Sequence, residues 1–393
     1  LAKKKRKLPL WLHGSAFNAV RGVMALPLVA GFDQAIDSSV PLAHAYAALN
    51  RKRTRRAVEH LRIAFPHWDA QRHERVAVAG YEHLFRLAVE FAYAPRLLTT
   101  DNWTRHVEVG PVAGAVQQVM REQPCLMITG HCGNWEVLGY TMGLLGFGMH
   151  ALYRPLDLKP LDEWVRQTRQ SRGLTLIDKF GAADILPRVL APGGDRQGSP
   201  IGFVADQNAG DRGLFVPFFG RLASTYKTIG LLAIQYNATV ICGMARRVPA
   251  HEPRPEITDQ SVINPPAPPA DWPNFRYRLE SDEVIRPEDW KDQPDPVFYV
   301  TARYRRAIET MVRSAPEQYL WMHRIWKSRP RHERLNRPFP AALKDKLKAL
   351  PWMTDEELER IIENSRRDTL EIASRTPEPD SAAEPEPSDE AMA

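Results

Sequence analysis

Between residues 124 and 244 short apolar runs alternate with amphipathic stretches, and this rhythm restricts the possible folds more than any other feature. "CLMIT", "MHALY", "LTLID", "IGFVA" and "TVICGM" are too short for helices and have the composition of buried strands. The stretches near 135–145, 159–171, 181–190 and 226–236 carry helical spacing. Strands joined through helices run parallel and need cover on both faces. The expected class is therefore α/β, a mainly parallel central sheet flanked by helices.

The flanks extend this core. Residues 43–98 read as helices, with Asp69 placed to cap one of them, and a helix resumes over 297–314. Residues 339–374 read as terminal helices with a capping pattern from Thr354 to Glu357. "NPPAPPADWPNF" and "DQPDPVF" mark an irregular excursion over 249–296, with "FRYRLE" as a strand in or beside it. The expected organisation is a basic N-terminus over 1–42 and one catalytic domain over 43–332. C-terminal helices follow over 333–374, then a disordered acidic, proline-rich tail over 375–393.

Charge narrows the partners. With 53 Lys and Arg against 47 Asp and Glu, the chain carries +6, which favours anionic partners. Three cysteines without CxxC spacing exclude a disulfide framework and point to a reducing compartment. The opening "KKKRKLPLWLHGSAFNAVRGVMALPLVAGF" is interrupted by Pro9, His13, Asn18 and Arg21, too often for a signal peptide or a spanning helix of about 20 apolar residues. A membrane-surface anchor is expected, with Trp11, Phe17 and Val20 against lipid and lysines at anionic headgroups. The plainer reading is an N-terminal core helix after a solvated charge run. No nucleic-acid-binding fold motif is present.

The chemistry is expected at "CLMITGHCGNWEVLG", residues 125–139. His131 follows a strand, where open α/β sheets bind ligands, and Glu136 falls on the next helical turn. A carboxylate on one imidazole nitrogen fixes the tautomer, so that the other nitrogen can take a proton from a hydroxyl. Glu136 is the expected orienter, and the N–H groups around Gly133 and Asn134 the expected stabilisers of negative charge. A cysteine nucleophile at Cys132 has no supporting feature elsewhere, and a metal site lacks a third credible ligand.

"HCGNWEVLG" is followed by "ALYRPLDLKPLDEWVRQTRQSRG", then "GFVADQNAGDRGLFVPFFGRLASTYKTIGLLA" and "APEQYLWMHRIWKSRP". In this order, over roughly residues 10–332, these blocks resemble the bacterial lipid A biosynthesis acyltransferases, the lauroyl and myristoyl transferases. The resemblance implies that His131 and Glu136 form the catalytic pair of an O-acyl transfer. It also implies an acyl thioester donor, usually acyl carrier protein, a glycolipid hydroxyl as acceptor at the cytoplasmic face of the inner membrane, and no metal or redox cofactor. Arg154, Arg169, Arg172, Asp206 and Gln207 match positions associated with the substrate pocket, with Arg154 assigned to catalysis.

Arginine suits phosphate because its planar fork bonds two oxygens at once. Phe218 and Phe219 are expected to wall an acyl-chain groove, with Gly220 allowing a tight turn or close substrate approach. His323, Arg324, Lys327 and Arg329 suggest a headgroup or carrier-docking surface. The rivals are an acyltransferase acting on another membrane lipid, with acyl-CoA as a further donor, and a noncatalytic basic protein that binds membranes or nucleic acid.

Overall fold

The computed structural model describes residues 31–375 except 122, 157, 172, 179–180, 192–198, 250–251 and 253–273, together with residues 22 and 29. The expected surface anchor and the acidic tail therefore lie almost wholly outside the described residues, as does most of the proline-rich run.

Three helices open the fold: α1 (Phe32–Leu49), α2 (Arg51–Ala64) and α3 (Ala70–Leu97). Asp69 caps α3, its side chain accepting from the Arg72 N–H at 2.6 Å. The sheet then assembles from β1 (Val107–Val109), β2 (Cys125–Thr129), β3 (His150–Tyr153), β4 (Thr175–Asp178), β5 (Ile201–Val204), β8 (Thr239–Arg247) and β9 (Tyr277–Ile285). Its order is β1-β9-β8-β2-β5-β3-β4. Every neighbouring pair is parallel except β8 with β9. A separate antiparallel hairpin joins β6 (Leu214–Phe218) to β7 (Arg221–Thr225).

The connecting helices include α4 (Trp135–Leu144), α5 (Lys159–Gln170), α6 (Ala182–Leu190), α7 (Lys227–Gln235), α8 (Pro296–Ser314) and α9 (Asp355–Arg375). Alternation along β2 sorts its side chains between two apolar clusters. Leu126 and Ile128 join the main core with Leu186 of α6 and Ile308 of α8, while Cys125 and Met127 pack with Val119 from the helix Ala113–Val119. The α/β class expected from the sequence is thus the observed one.

The differences have local causes. β1 is only three residues long and leaves no periodicity to read. β9 runs on to Ile285 through the polar "SDEVI", paired to β8 by backbone bonds that the side-chain pattern does not announce. The expected aromatic turn is the β6–β7 hairpin, with Phe219 and Gly220 both at positive φ, 53° and 68°. Thr354 caps α9, its hydroxyl accepting from the Glu357 N–H at 3.1 Å.

Buried histidines fasten these pieces through backbone carbonyls. His60 Nδ1 bonds the Trp321 carbonyl at 2.9 Å and His83 Nε2 the Gly133 carbonyl at 2.9 Å. Burial pushes His60 down to about 4 and His83 down to about 3, so both are neutral when folded at neutral pH. Between pH 6.5 and about 4 the unfolded chain takes up protons that the fold refuses, so stability rises with pH in that window. Denaturant titrations at a series of pH values are expected to give a level unfolding free energy above about pH 7 and a progressive fall below about 6.5. A level profile down to pH 4.5 would contradict neutral burial.

Candidate active site

The parallel register of β2 and β5 builds the site. Thr129 pairs with Val204, so the two chains leave the sheet side by side, carrying His131 and Asp206. His131 Nδ1 lies 2.7 Å from Asp206 Oδ1. The imidazole keeps partial access to solvent, whereas the carboxylate is 1% exposed. Burial alone would raise the Asp206 carboxyl. The adjoining His131 ring and its hydrogen bond, with His323 and Arg305, outweigh burial and hold the group well below the usual carboxylate range. Asp206 therefore accepts from Nδ1–H, which leaves Nε2 with the lone pair.

Glu136 does something else. Asn134 caps α4, its Oδ1 accepting from the N–H groups of Glu136 at 3.1 Å and Val137 at 3.0 Å. This places Glu136 one residue into the helix, where Arg169 of α5 holds it in a fork at 3.0 and 2.5 Å and the Trp135 indole donates at 3.1 Å. The carboxylate on His131 Nδ1 is thus Asp206, not the expected Glu136.

The expected backbone donors are also committed. Gly133 N–H bonds the Gln318 carbonyl at 3.0 Å and Asn134 N–H the Ala245 carbonyl at 2.8 Å. Gly133 sits at φ 56°, and a Cβ there would meet the Ala245 oxygen at 2.3 Å, so glycine is required by both conformation and space. Asn134 is 1% exposed, and its amide donates to Glu90 at 2.9 Å and Tyr277 at 3.1 Å. It is a structural cap, with no face left for substrate. Glu90 also receives the Tyr277 hydroxyl at 2.5 Å and both terminal nitrogens of Arg247. This buried network, drawn from α3, β8 and β9, fixes the loop that carries His131.

His131 borders an apolar cavity of about 520 Å³ between the sheet and α4. Met127, Leu138, Met142, Phe147, Met149 and Leu174 line its depth, and His131, Glu136, Arg154, Arg169 and Gln207 its polar side. Arg154 is exposed and forms no ion pair with another described residue. Five of the expected site residues thus border one space. Arg172 lies outside the described residues.

Phe218, Phe219 and Gly220 do not line this cavity. Phe218 is fully buried beneath the Arg305 guanidinium, 3.8 Å from its ring centre, and Phe219 packs on Phe65 and Trp321. Gly220 makes the hairpin turn, and its carbonyl accepts from Asn364 of α9 at 2.8 Å. Arg329 is a buried clamp on Glu333 and Asp368 rather than part of a docking surface. Cys132 is buried, and its thiol is raised first by burial and then by the Asp206 charge, which removes it as a nucleophile.

Arg305 and His323 are the functional neighbours that the sequence reading missed or placed elsewhere. Arg305 of α8 is fully buried and donates to the Asp206 carbonyl at 2.7 Å. The available signal was an arginine on the apolar stripe Phe298, Thr301, Arg305, Ile308 and Val312. The His323 ring stands edge-on to His131 at 4.7 Å, and burial pushes it down to about 4. His131, Asp206 and His323 bring ligand atoms within 4.8 Å of one another, supplying the third metal-ligating group that the sequence did not reveal.

Asp206→Asn is expected to lower kcat on the order of 100-fold or more with little change in KM, because the tautomer of His131 is no longer held by a charge. Glu136→Gln and Arg169→Gln are expected to give similar defects that do not add in the double variant, since each removes the same pair. Steady-state kinetics of the four variants check both statements; additive losses would place Glu136 outside the Arg169 pair.

A family model of the bacterial lipid A biosynthesis acyltransferases matches residues 3–259. A lipid A biosynthesis palmitoleoyltransferase of Escherichia coli (strain K12) is 26% identical over 285 residues, covering 71% of this chain and 80% of the relative. A lipid A biosynthesis acyltransferase of Shigella flexneri aligns with the same identity and coverage. A lipid A biosynthesis lauroyltransferase of E. coli (strain K12) is 21% identical over 291 residues, with 71% and 81% covered. With well over half of its length matched, the chain belongs to the bacterial lipid A biosynthesis acyltransferase family and is an O-acyltransferase.

Proposed function

We propose that the protein transfers a fatty acyl group from acyl carrier protein to a hydroxyl of a lipid A precursor. The observation that carries this reading is the placement of the His131–Asp206 pair beside a deep apolar cavity. The acyl chain lies along Met127, Met142, Met149 and Leu174, where each buried CH2 contributes about 0.8 kcal/mol. The thioester carbonyl then sits beside His131.

His131 Nε2 takes the proton of the acceptor hydroxyl as its oxygen attacks the thioester carbon. Asp206 keeps the ring oriented and steadies the imidazolium. Arg154 meets the developing oxyanion, a role supported by its exposed position, unpaired among the described residues, on the cavity that His131 borders. Collapse breaks the carbon–sulfur bond, and the imidazolium returns the proton to the departing sulfur. The products are an ester and a free thiol, and no metal or redox group is required. Glu136 and Arg169 shape the polar side of the cavity together.

Among the described residues no helix is long and apolar enough to cross a membrane. The reading places the enzyme on the cytoplasmic face of the inner membrane, held peripherally or by a single anchor in its basic N-terminus.

The test offers purified protein in detergent a lipid A precursor with acyl carrier protein or CoA thioesters, in the presence of a chelator, and reads products by mass spectrometry. The expected result is gain of one acyl group with the carrier-protein donor, reduced at least about 100-fold in His131→Ala. Transfer only to other lipids, or only from CoA, would overturn the acceptor or the donor; equal turnover by His131→Ala would overturn the base.

A further inference from the structure

A second concave surface begins one residue beyond His323, whose ring contacts His131. Asn50, Arg51, Lys52, Arg53 and Arg56 at the start of α2, with Arg324 from the segment after β9 and α8, line a groove of about 660 Å³. Five cations from two distant parts of the chain thus face one space that contains no carboxylate. Arg51, Lys52 and Arg324 form no hydrogen bond or ion pair through their side chains with another described residue. Arg56 donates to the Met322 carbonyl at 3.2 Å, and Arg53 to the Tyr46 hydroxyl at 3.0 Å.

Such a cluster works against the fold. Like charges repel most where solvent is partly excluded, and Arg56 is lowered first by burial and then by the charges of Arg324 and Arg53. Lys and Arg in the first turn of a helix also oppose its macrodipole. A phosphate monoester relieves both terms, because guanidinium forks and an ammonium can neutralise its oxygens at close range.

The groove also has a place in the reaction. Arg324 follows His323, whose ring contacts His131, and the charge of Arg53 reaches the His323 ring. The apolar cavity borders His131 without including any of these cations. One space suits an acyl chain and borders His131; the other suits an anion and connects to His131 through Arg324 and the neighbouring His323 ring.

We infer that the Arg51–Arg56 turn and Arg324 form a binding site for a phosphate group on the acceptor lipid, holding its sugar so that a hydroxyl reaches His131. The inference rests on the acyl-transfer reading and deepens it by separating the acceptor site from the donor cavity.

The test measures binding rather than turnover. His131→Ala protein, and the same protein carrying Arg51→Gln and Arg324→Gln, are titrated in detergent with the phosphorylated lipid A precursor and with its enzymatically dephosphorylated form. The expected result is a loss of affinity of roughly tenfold or more for the phosphorylated lipid, no change for the dephosphorylated one, and unchanged circular dichroism and thermal unfolding. Equal weakening of both lipids, or of neither, would overturn the site. So would a loss confined to acyl carrier protein, which would make the groove a carrier-docking surface, or a loss seen only with vesicles of anionic phospholipid. Phosphate-dependent binding by a protein whose unmutated form transfers no acyl group would leave the site standing and remove the proposed reaction.

Discussion

The alignment of two neighbouring parallel strands is the constraint on which the site depends. β2 and β5 pair Thr129 with Val204, and both chains then turn off the sheet, so His131 and Asp206 meet although 75 positions separate them. A slip of one residue between these strands would send alternate side chains to opposite faces and break the pair. The packing of Leu126 and Ile128 toward α6 and α8, and of Cys125 and Met127 toward the opposite layer, opposes that slip. Register set by apolar packing is thereby converted into the orientation of a base.

A second, polar layer holds what the sheet delivers. Glu90, Arg247, Tyr277 and Asn134 are tied together in the interior, and Asn134 in turn caps α4. Removing Glu90 or Arg247 would leave a buried charge unmatched, which is far costlier than losing an exposed ion pair. The Gln318 and Ala245 carbonyls occupy the N–H groups of Gly133 and Asn134, which leaves an oxyanion to the side-chain cations on the cavity. The chemistry of the loop is narrowed by the bonds that make it rigid.

How much of this was legible follows from the range of each interaction. The buried strands and the helices between them showed in local periodicity, and His131 at a strand end followed from the sheet. Asp206, Gln207, Arg154 and Arg169 were picked out by resemblance, and the last three do gather on one cavity. The partner of His131 was misread because Glu136 is near in sequence, whereas Asp206 is near only through strand register. Phe218 and Phe219 carry no local sign of whether they face a ligand or a core; the hairpin and the Arg305 guanidinium decide it. The basic turn at Arg51 lay within a segment read only as helical, because its partner Arg324 is brought beside it by folding alone.

The central claim is that His131 is held by Asp206 as the tautomer with its proton on Nδ1. The direct measurement is nitrogen NMR of protein labelled in the histidine ring, with His131 assigned by comparison with His131→Ala. The account predicts that the neutral ring carries its proton on Nδ1, with the Nδ1 signal moving on Asp206→Asn and staying in place on Glu136→Gln. A neutral ring with its proton on Nε2, or a signal that responds to Glu136→Gln and ignores Asp206→Asn, would contradict it.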